Sequence, residues 1–216
     1  FGVERTSAKL MDTWSVEGMR ATGSIDVALD RQFIPHEHAM QLDDLFAGNG
    51  SGATLYPSNP MYRRPAEQMA LSYQLPVFVG ACRGAADELL AVSRRRVHTN
   101  SGVAAAAKPT THAHVGHARA RAVLAEDMLA SILQDAMSSA LTPAQRVEWR
   151  TRCAVIVEFC RDVITDATRA AGANAFRKQA RLQMLFRDIS MISLHPALER
   201  EGASEMLGSL LLSGEL

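Results

Sequence analysis

The chain has 216 residues, 47% hydrophobic and 21% charged, with 23 lysines and arginines against 23 aspartates and glutamates. That composition is globular rather than disordered, and it suffices for one good core or for a helical domain with an appendage. Balanced charge supplies neither a basic field for nucleic acid nor an acidic field for basic partners, and no apolar run reaches the ~20 residues of a membrane span.

Residues 1–47 read as β or extended structure. Lys9 to Val16 alternate weakly. After Gly23-Ser24, the apolar Ile25, Val27, Leu29 and Phe33 alternate with Asp26, Ala28 and Asp30, the period of a half-buried strand that Pro35 ends. Two strands alone make no stable sheet in water, so this partial β domain is expected to need strands that the chain does not contain. Phe1-Gly2-Val3 carries neither a methionine nor a signal-peptide pattern, which leaves a truncated or cleaved start open. Residues 48–59, from Gly48-Asn49-Gly50-Ser51-Gly52 on, read as a flexible linker. They lack the Gly-x-Gly-x-x-Gly of a dinucleotide fingerprint.

Residues 60–216 read as a bundle of long helices. Pro76 is placed in a first turn, and Ala81, Cys82, Ala85, Leu89 and Val92 repeat at helical spacing. Gly80 and Gly84 are expected to allow close helix contact. Arg94-Arg95-Arg96 end the helix with cations at its negative pole. A loop at 97–109 precedes a second helix over about 112–140. The third helix opens with Thr142, Pro143 and Gln145, a capping box. It carries an apolar stripe of Val155, Ile156, Phe159, Cys160, Val163 and Ile164, and stops at Gly172. At 1.5 Å per residue it spans about 40–45 Å. A fourth helix is expected from Ala175 to about Leu194, then a short amphipathic tail, Ser204 to Leu212. The fold class is mainly α, a four-helix bundle preceded by a β-hairpin remnant. The three cysteines, Cys82, Cys153 and Cys160, form no Cys-x-x-Cys pair and read as buried free thiols, in keeping with a cytoplasmic protein.

Three stretches together resemble one family. Trp14-Ser15-Val16-Glu17-Gly18-Met19-Arg20-Ala21-Thr22-Gly23-Ser24, with Asp26-Val27 and Phe33-Ile34-Pro35, is similar to the last hairpin of the middle β domain in acyl-CoA dehydrogenase-like flavoproteins. Pro76 and Gly80-Ala81-Cys82-Arg83-Gly84-Ala85, then Asp87-Glu88, resemble the first helix of their C-terminal bundle. Ala171-Gly172, Phe186-Arg187-Asp188-Ile189 and His195 resemble the Arg-Asp…His signature of the monooxygenase branch. That branch holds two-component aromatic hydroxylases, among them 4-hydroxyphenylacetate and secosteroid phenol hydroxylases. The resemblance implies an acyl-CoA dehydrogenase-type bundle, a homotetramer, reduced FMN or FAD from a separate flavin reductase, and a small aromatic substrate. It also implies that this chain lacks the first domain and most of the second, so that alone it binds flavin poorly and is inactive.

His195 is the candidate catalytic residue, because imidazole exchanges protons near neutral pH. Apolar Ile192, Leu194 and Pro196 around it favour a neutral ring, and the hydroxylase reading expects that ring turned inward to a cavity. Pro196 departs from the family pattern. Thr22 and Ser24, flanking Gly23 in a turn, and Arg187 are candidate flavin contacts, and Trp14 a candidate face for the aromatic substrate. Plain turn chemistry, helix pairing and a β-domain core stand against these. His112, His114 and His117 scatter around a helix and His36 and His38 sit in a loop, so no metal is expected. Arg94-Arg95-Arg96 could hold a cofactor phosphate but read better as a helix end. Glu201-Gly202-Ala203-Ser204-Glu205 looks like the Glu-Gly-Thr-Ser-Glu base loop of acyl-CoA dehydrogenases, although it follows the Arg-Asp pair at greater distance. The reading that results is a flavin-dependent monooxygenase. An FAD-dependent acyl-CoA dehydrogenase is the first rival, and a helical oligomerisation domain with no chemistry of its own the second.

Overall fold

A computed structural model describes residues 1–98, 101–138 and 141–214. The chain divides into two compact units, Phe1–Ala70 and Leu71–Leu216. The first unit holds an antiparallel pair, β1 (Lys9–Met11) and β2 (Asp26–Ala28), in the register Lys9 to Ala28, Leu10 to Val27 and Met11 to Asp26. The strands are shorter than the alternation suggests, and they are not half-buried. Leu10 is 42% exposed, Val27 56% and Phe33 88%. Only side-chain packing on one face turns alternation into burial, and within this unit no sheet or helix supplies it for that face.

The same unit corrects two further expectations. Residues 42–47 are not extended but form α1 (Leu42–Ala47), and the stretch read as a linker contains α2 (Ser51–Leu55). Glycines and small residues permit a loop without forbidding a helical turn. Tyr56 stacks on Tyr62 here, with centroids 5.0 Å apart.

Helix α3 (Ala66–Arg95) begins in the last residues of the first unit, and the second unit is built on its remainder with α4 (Pro109–Ser138) and α5 (Pro143–Ala171), followed by the shorter α6 (Arg181–Ile192) and α7 (Arg200–Ser213). Helix α3 begins ten residues before Pro76, so that proline lies inside the helix rather than in its first turn. There it removes one intrahelical hydrogen bond, which the buried Leu71, Leu75 and Phe78 around it offset by packing. Gly80 meets no atom that a methyl group would touch, and Gly84 only the tip of Arg181 and Leu185. Neither glycine is required by close helix approach. The second helix, read as running to 140, is described to Ser138; residues 139 and 140 lie outside the described residues.

Helix α5 starts as its sequence dictates. The Thr142 hydroxyl accepts from the Gln145 amide at 3.2 Å, and the Gln145 side chain accepts from the Thr142 amide at 2.9 Å. Of the expected stripe, Ile156, Cys160, Val163 and Ile164 are fully buried, but Phe159 is only partly so and Val155 is 45% exposed; Val157 and Ala167 complete the buried face, which shares one core with Leu75, Phe78, Cys82 and Leu89 of α3. Helix α4 turns the small Ala118, Ala122 and Ala125 inward. Ion pairs fasten it on both sides: Arg83 to Glu126 and Arg121 to Asp166, each at 2.7 Å. The buried Trp149 indole donates to the Ile132 carbonyl at 2.9 Å, linking α5 to α4. Gly172 ends α5 at φ 77°, and a β-carbon there would stand 3.1 Å from the Arg96 guanidinium.

The fourth helix starts later than expected, at Arg181, because a 3-10 turn at Ala173–Phe176 comes first. Helix α7 starts earlier than the expected tail, at Arg200, where the Glu199 carboxylate accepts from the Glu201 and Gly202 amides at 2.7 and 2.8 Å. Among the described residues the bundle is thus three long helices and two short ones. No helix is long and apolar enough to cross a membrane, among the described residues.

Candidate functional site

His195 sits where α6 has ended and α7 has not begun. Ser193 terminates α6, and His195 is the N-cap of a 3-10 turn at Pro196–Leu198. Its Nδ1 accepts the Ala197 amide at 3.2 Å. Pro196 therefore does not cut a helix short. It occupies the first position of the turn, where a missing N–H costs nothing. The Nδ1 lone pair is engaged by an amide, so the neutral ring carries its proton on Nε2. The outward face is thereby a donor.

The ring is exposed, as are Leu194 (75%) and Pro196. This corrects the expected inward-turned imidazole: the apolar neighbours belong to a surface turn, not to an enclosing wall. The turn itself is firmly held. Leu198 is 2% exposed, and the Ser193 hydroxyl donates to the Ser190 carbonyl at 3.0 Å. Beneath the turn lies a cavity of about 280 Å³, lined among others by Val157, Glu158, Arg161, Leu198 and Arg200.

The other candidates are placed as follows. The Trp14 indole and the Thr22 hydroxyl both donate to the Met19 carbonyl, at 2.9 and 2.8 Å. Met19 itself is in a left-handed conformation, φ 52°, which the two bonds help to hold. The Ser24 hydroxyl lies 3.4 Å from that of Thr22. Trp14, Thr22 and Ser24 thus share one turn of the first unit, while His195 and the half-buried Arg187 belong to the second. Glu201, the glutamate of the apparent base loop, is tied to Arg200 at 2.6 Å. That bond, together with Glu199 and the helix start, holds its carboxyl below the usual range. No three histidines, cysteines or carboxylates gather at metal-binding distance among the described residues, and His112 instead meets the Ala106 carbonyl at 2.7 Å.

Residues far apart in sequence also assemble a basic crevice. Where α3 and α5 end and α4 begins, a crevice of about 270 Å³ is lined by Arg96, His98, Lys108, Thr110, Thr111, His114 and Arg169, with no carboxylate in its wall. Arg96 is fixed there by donating to the Ala171 carbonyl at 2.8 Å. Burial, then the nearby Lys108 and Arg96 charges, push the His98 pKa down. Cations, hydroxyls and a helix N-terminus together suit an anionic group such as a phosphate. The sequence signal was the basic Arg94-Arg95-Arg96 followed by Lys108-Pro109-Thr110-Thr111 at a helix start. The third basic wall, Arg169, is distant in sequence.

The model of the acyl-CoA dehydrogenase C-terminal domain matches residues 73–200, more than half of the chain. The chain belongs to the acyl-CoA dehydrogenase family. Within the family it is 34% identical, over 98% of its length, to a pigment production hydroxylase of a Rhodococcus species, of which it covers 55%. It is 24% identical to the oxygenase component of p-hydroxyphenylacetate 3-hydroxylase from Acinetobacter baumannii, over its whole length and 52% of that protein. It spans about half the length of these curated relatives. Among solved structures of this acyl-CoA dehydrogenase-like fold, XiaF from a Streptomyces species, in complex with FADH2 and glycerol, superposes with a TM-score of 0.84. That match has 23% identity and covers 96% of this chain and 54% of XiaF.

Proposed function

We propose that this chain is the C-terminal part of a flavin-dependent monooxygenase that hydroxylates an aromatic, phenolic substrate with reduced FMN or FAD and O2. The observation that carries the reading is the 34% identity to a pigment production hydroxylase over 98% of the chain; within that reading His195, its Nδ1 engaged by the Ala197 amide, is the imidazole proposed to act. Such a group can donate a hydrogen bond to oxygen at a reacting centre, holding or delivering one proton at Nε2. A bound reduced flavin would supply the electrons that activate O2. The crevice of Arg96, Lys108, Thr110, Thr111 and Arg169 fits a flavin phosphate by charge and hydroxyl content. In this reading Thr22, Ser24 and Arg187 contact the flavin, and the Trp14 face meets the aromatic ring.

The names of the relatives support this reading, a hydroxylase and the oxygenase component of another. An oxygenase component implies a separate flavin reductase as partner. A homotetramer belongs to the same proposal, supported by apolar residues exposed on the bundle, Val123, Leu124 and Val155. So does the cytoplasm, which suits three buried free thiols. Glu201 disfavours the dehydrogenase alternative, because a carboxylate held by Arg200 is a weaker base. The oligomerisation-domain alternative predicts assembly without flavin binding.

The test supplies the whole enzyme with reduced FMN or FAD from a flavin reductase, O2 and a panel of phenols, and measures hydroxylated product against hydrogen peroxide. Ring hydroxylation is expected. Flavin reduction by an acyl-CoA with no hydroxylated phenol reverses the assignment.

A further inference from the structure

The turn that carries His195 is joined to α5 by a charged latch. Arg200 Nη1 donates to both carboxylate oxygens of Glu158, at 2.8 and 3.1 Å, and its Nη2 donates to Glu201 at 2.6 Å. Glu158 is held in turn by Arg161 at 3.4 Å. Two residues on either side of the latch point inward: Leu198 is 2% exposed and Ala203 2%, and the Ala203 carbonyl accepts from the Thr151 hydroxyl of α5 at 2.9 Å. The segment is thus anchored on its inner side by apolar burial and a buried bond, while its outer side is tied to α5 through Arg200. The Arg200–Glu158 pair holds the C-terminal end of the turn against α5. It is a polar side-chain tie between the end of this turn and α5.

We infer that Arg200, held by Glu158, is a positioning residue for His195: it fixes the turn on which the imidazole stands, and so the aim of the Nε2 proton. The inference rests on His195 being the reacting imidazole. Both latch side chains are partly exposed, Arg200 by 45% and Glu158 by 30%, and such pairs contribute little to global stability. An effect on catalysis without an effect on folding is what a positioning role requires. A lysine at 200 keeps the charge but cannot reach both oxygens of Glu158 and the carboxylate of Glu201 in one planar fork.

The experiment is a double-mutant cycle on the whole enzyme with Arg200→Ala, Glu158→Gln and His195→Ala, read as hydroxylation rate and as product formed per reduced flavin consumed. Arg200→Ala and Glu158→Gln are each expected to lower kcat by about fivefold, with KM for the phenol unchanged and Tm within about 2 °C of wild type. Arg200→Lys is expected to recover part of the loss. In the His195→Ala background neither latch substitution should lower the rate further. A spectroscopic reading is independent of turnover. The 15N signals of the His195 ring, whose surroundings the position of the turn sets, should shift from their wild-type values in both latch variants. If the latch variants keep their full effect without His195, or leave the ring signals unmoved, the positioning role is overturned. If His195→Ala alone leaves hydroxylation intact, the monooxygenase assignment of that residue falls instead. Should Arg200→Ala fail to fold, Glu158→Gln, which retains shape and an acceptor oxygen, decides the same question.

Discussion

The Ala197 amide donates to Nδ1 of His195 at 3.2 Å, which leaves the proton of the neutral ring on Nε2. The bond makes His195 both a structural cap and a chemical donor, and the two functions can be separated by substitution. An asparagine caps a helical turn well but places no donor where Nε2 stands. His195→Asn should keep the Tm within about 2 °C of wild type and lower hydroxylation by roughly 100-fold, the lower end of what a proton-transferring group contributes. Thermal melts and product assays on one preparation check both halves. A variant that hydroxylates normally contradicts the assignment.

The basic crevice should bind anions more tightly as pH falls. His98 titrates below its ordinary value because of burial and the Lys108 and Arg96 charges. A phosphate seated among them relieves that repulsion and raises the His98 pKa, so binding takes up a proton. Affinity for FMN, or for inorganic phosphate as a probe, should rise between pH 8 and 6, and Lys108→Ala should weaken it by about tenfold. Calorimetry at several pH values, in buffers of different ionisation heat, reads the proton directly. The same depressed pKa has the opposite sign for the unliganded fold. Its stabilising contribution is present above the unfolded His98 value and lost as pH falls through the folded one.

The thiols should be silent. Cys82 and Cys160 are fully buried and interact with each other across α3 and α5, which pulls the Cys82 thiol down and, with burial, pushes the Cys160 thiol up. Enclosed in the core, neither sulfur is within reach of a reagent. Native protein should react with a disulfide reagent at none of its three cysteines on the minute scale, and urea should release all three. Rapid labelling of native Cys160 would show that α3 and α5 separate readily.

The capping box should be measurable by itself. Thr142→Ala removes the acceptor for the Gln145 amide and should cost about 1 kcal/mol in urea unfolding. Gln145→Ala should cost less. If the double substitution costs the sum of the two, the reciprocal bonds do not cooperate.

Much of the bundle was written locally. Thr142, Pro143 and Gln145 specify the start of α5, Gly172 its end, and the stripe from Ile156 to Ile164 its buried face. Each signal acts within one or two turns of helix, so it survives whatever the rest of the chain does. The family resemblance was legible for the same reason: short motifs in order, now matched by the domain model over 73–200. The failures were of another kind. Alternation at Ile25 to Phe33 states which face would be buried, yet burial needs a partner surface. Glycine and serine at 50–52 permitted the helix α2 as well as a linker.

Chain-local chemistry therefore determined the presence of the long helices, the two ends of α5 and the identity of the imidazole worth watching. Tertiary structure alone decided what that imidazole faces, because the aim of His195 depends on the Ala197 amide, the burial of Leu198 and the reach of Arg200 to Glu158 on α5. It alone assembled the phosphate-fitting crevice from Arg96, Lys108 and Arg169, residues spread over more than seventy positions. Helix propensity and capping are short-range effects fixed by neighbours in sequence. Pairing of charges and cations across helices is fixed only when packing has set the helices side by side.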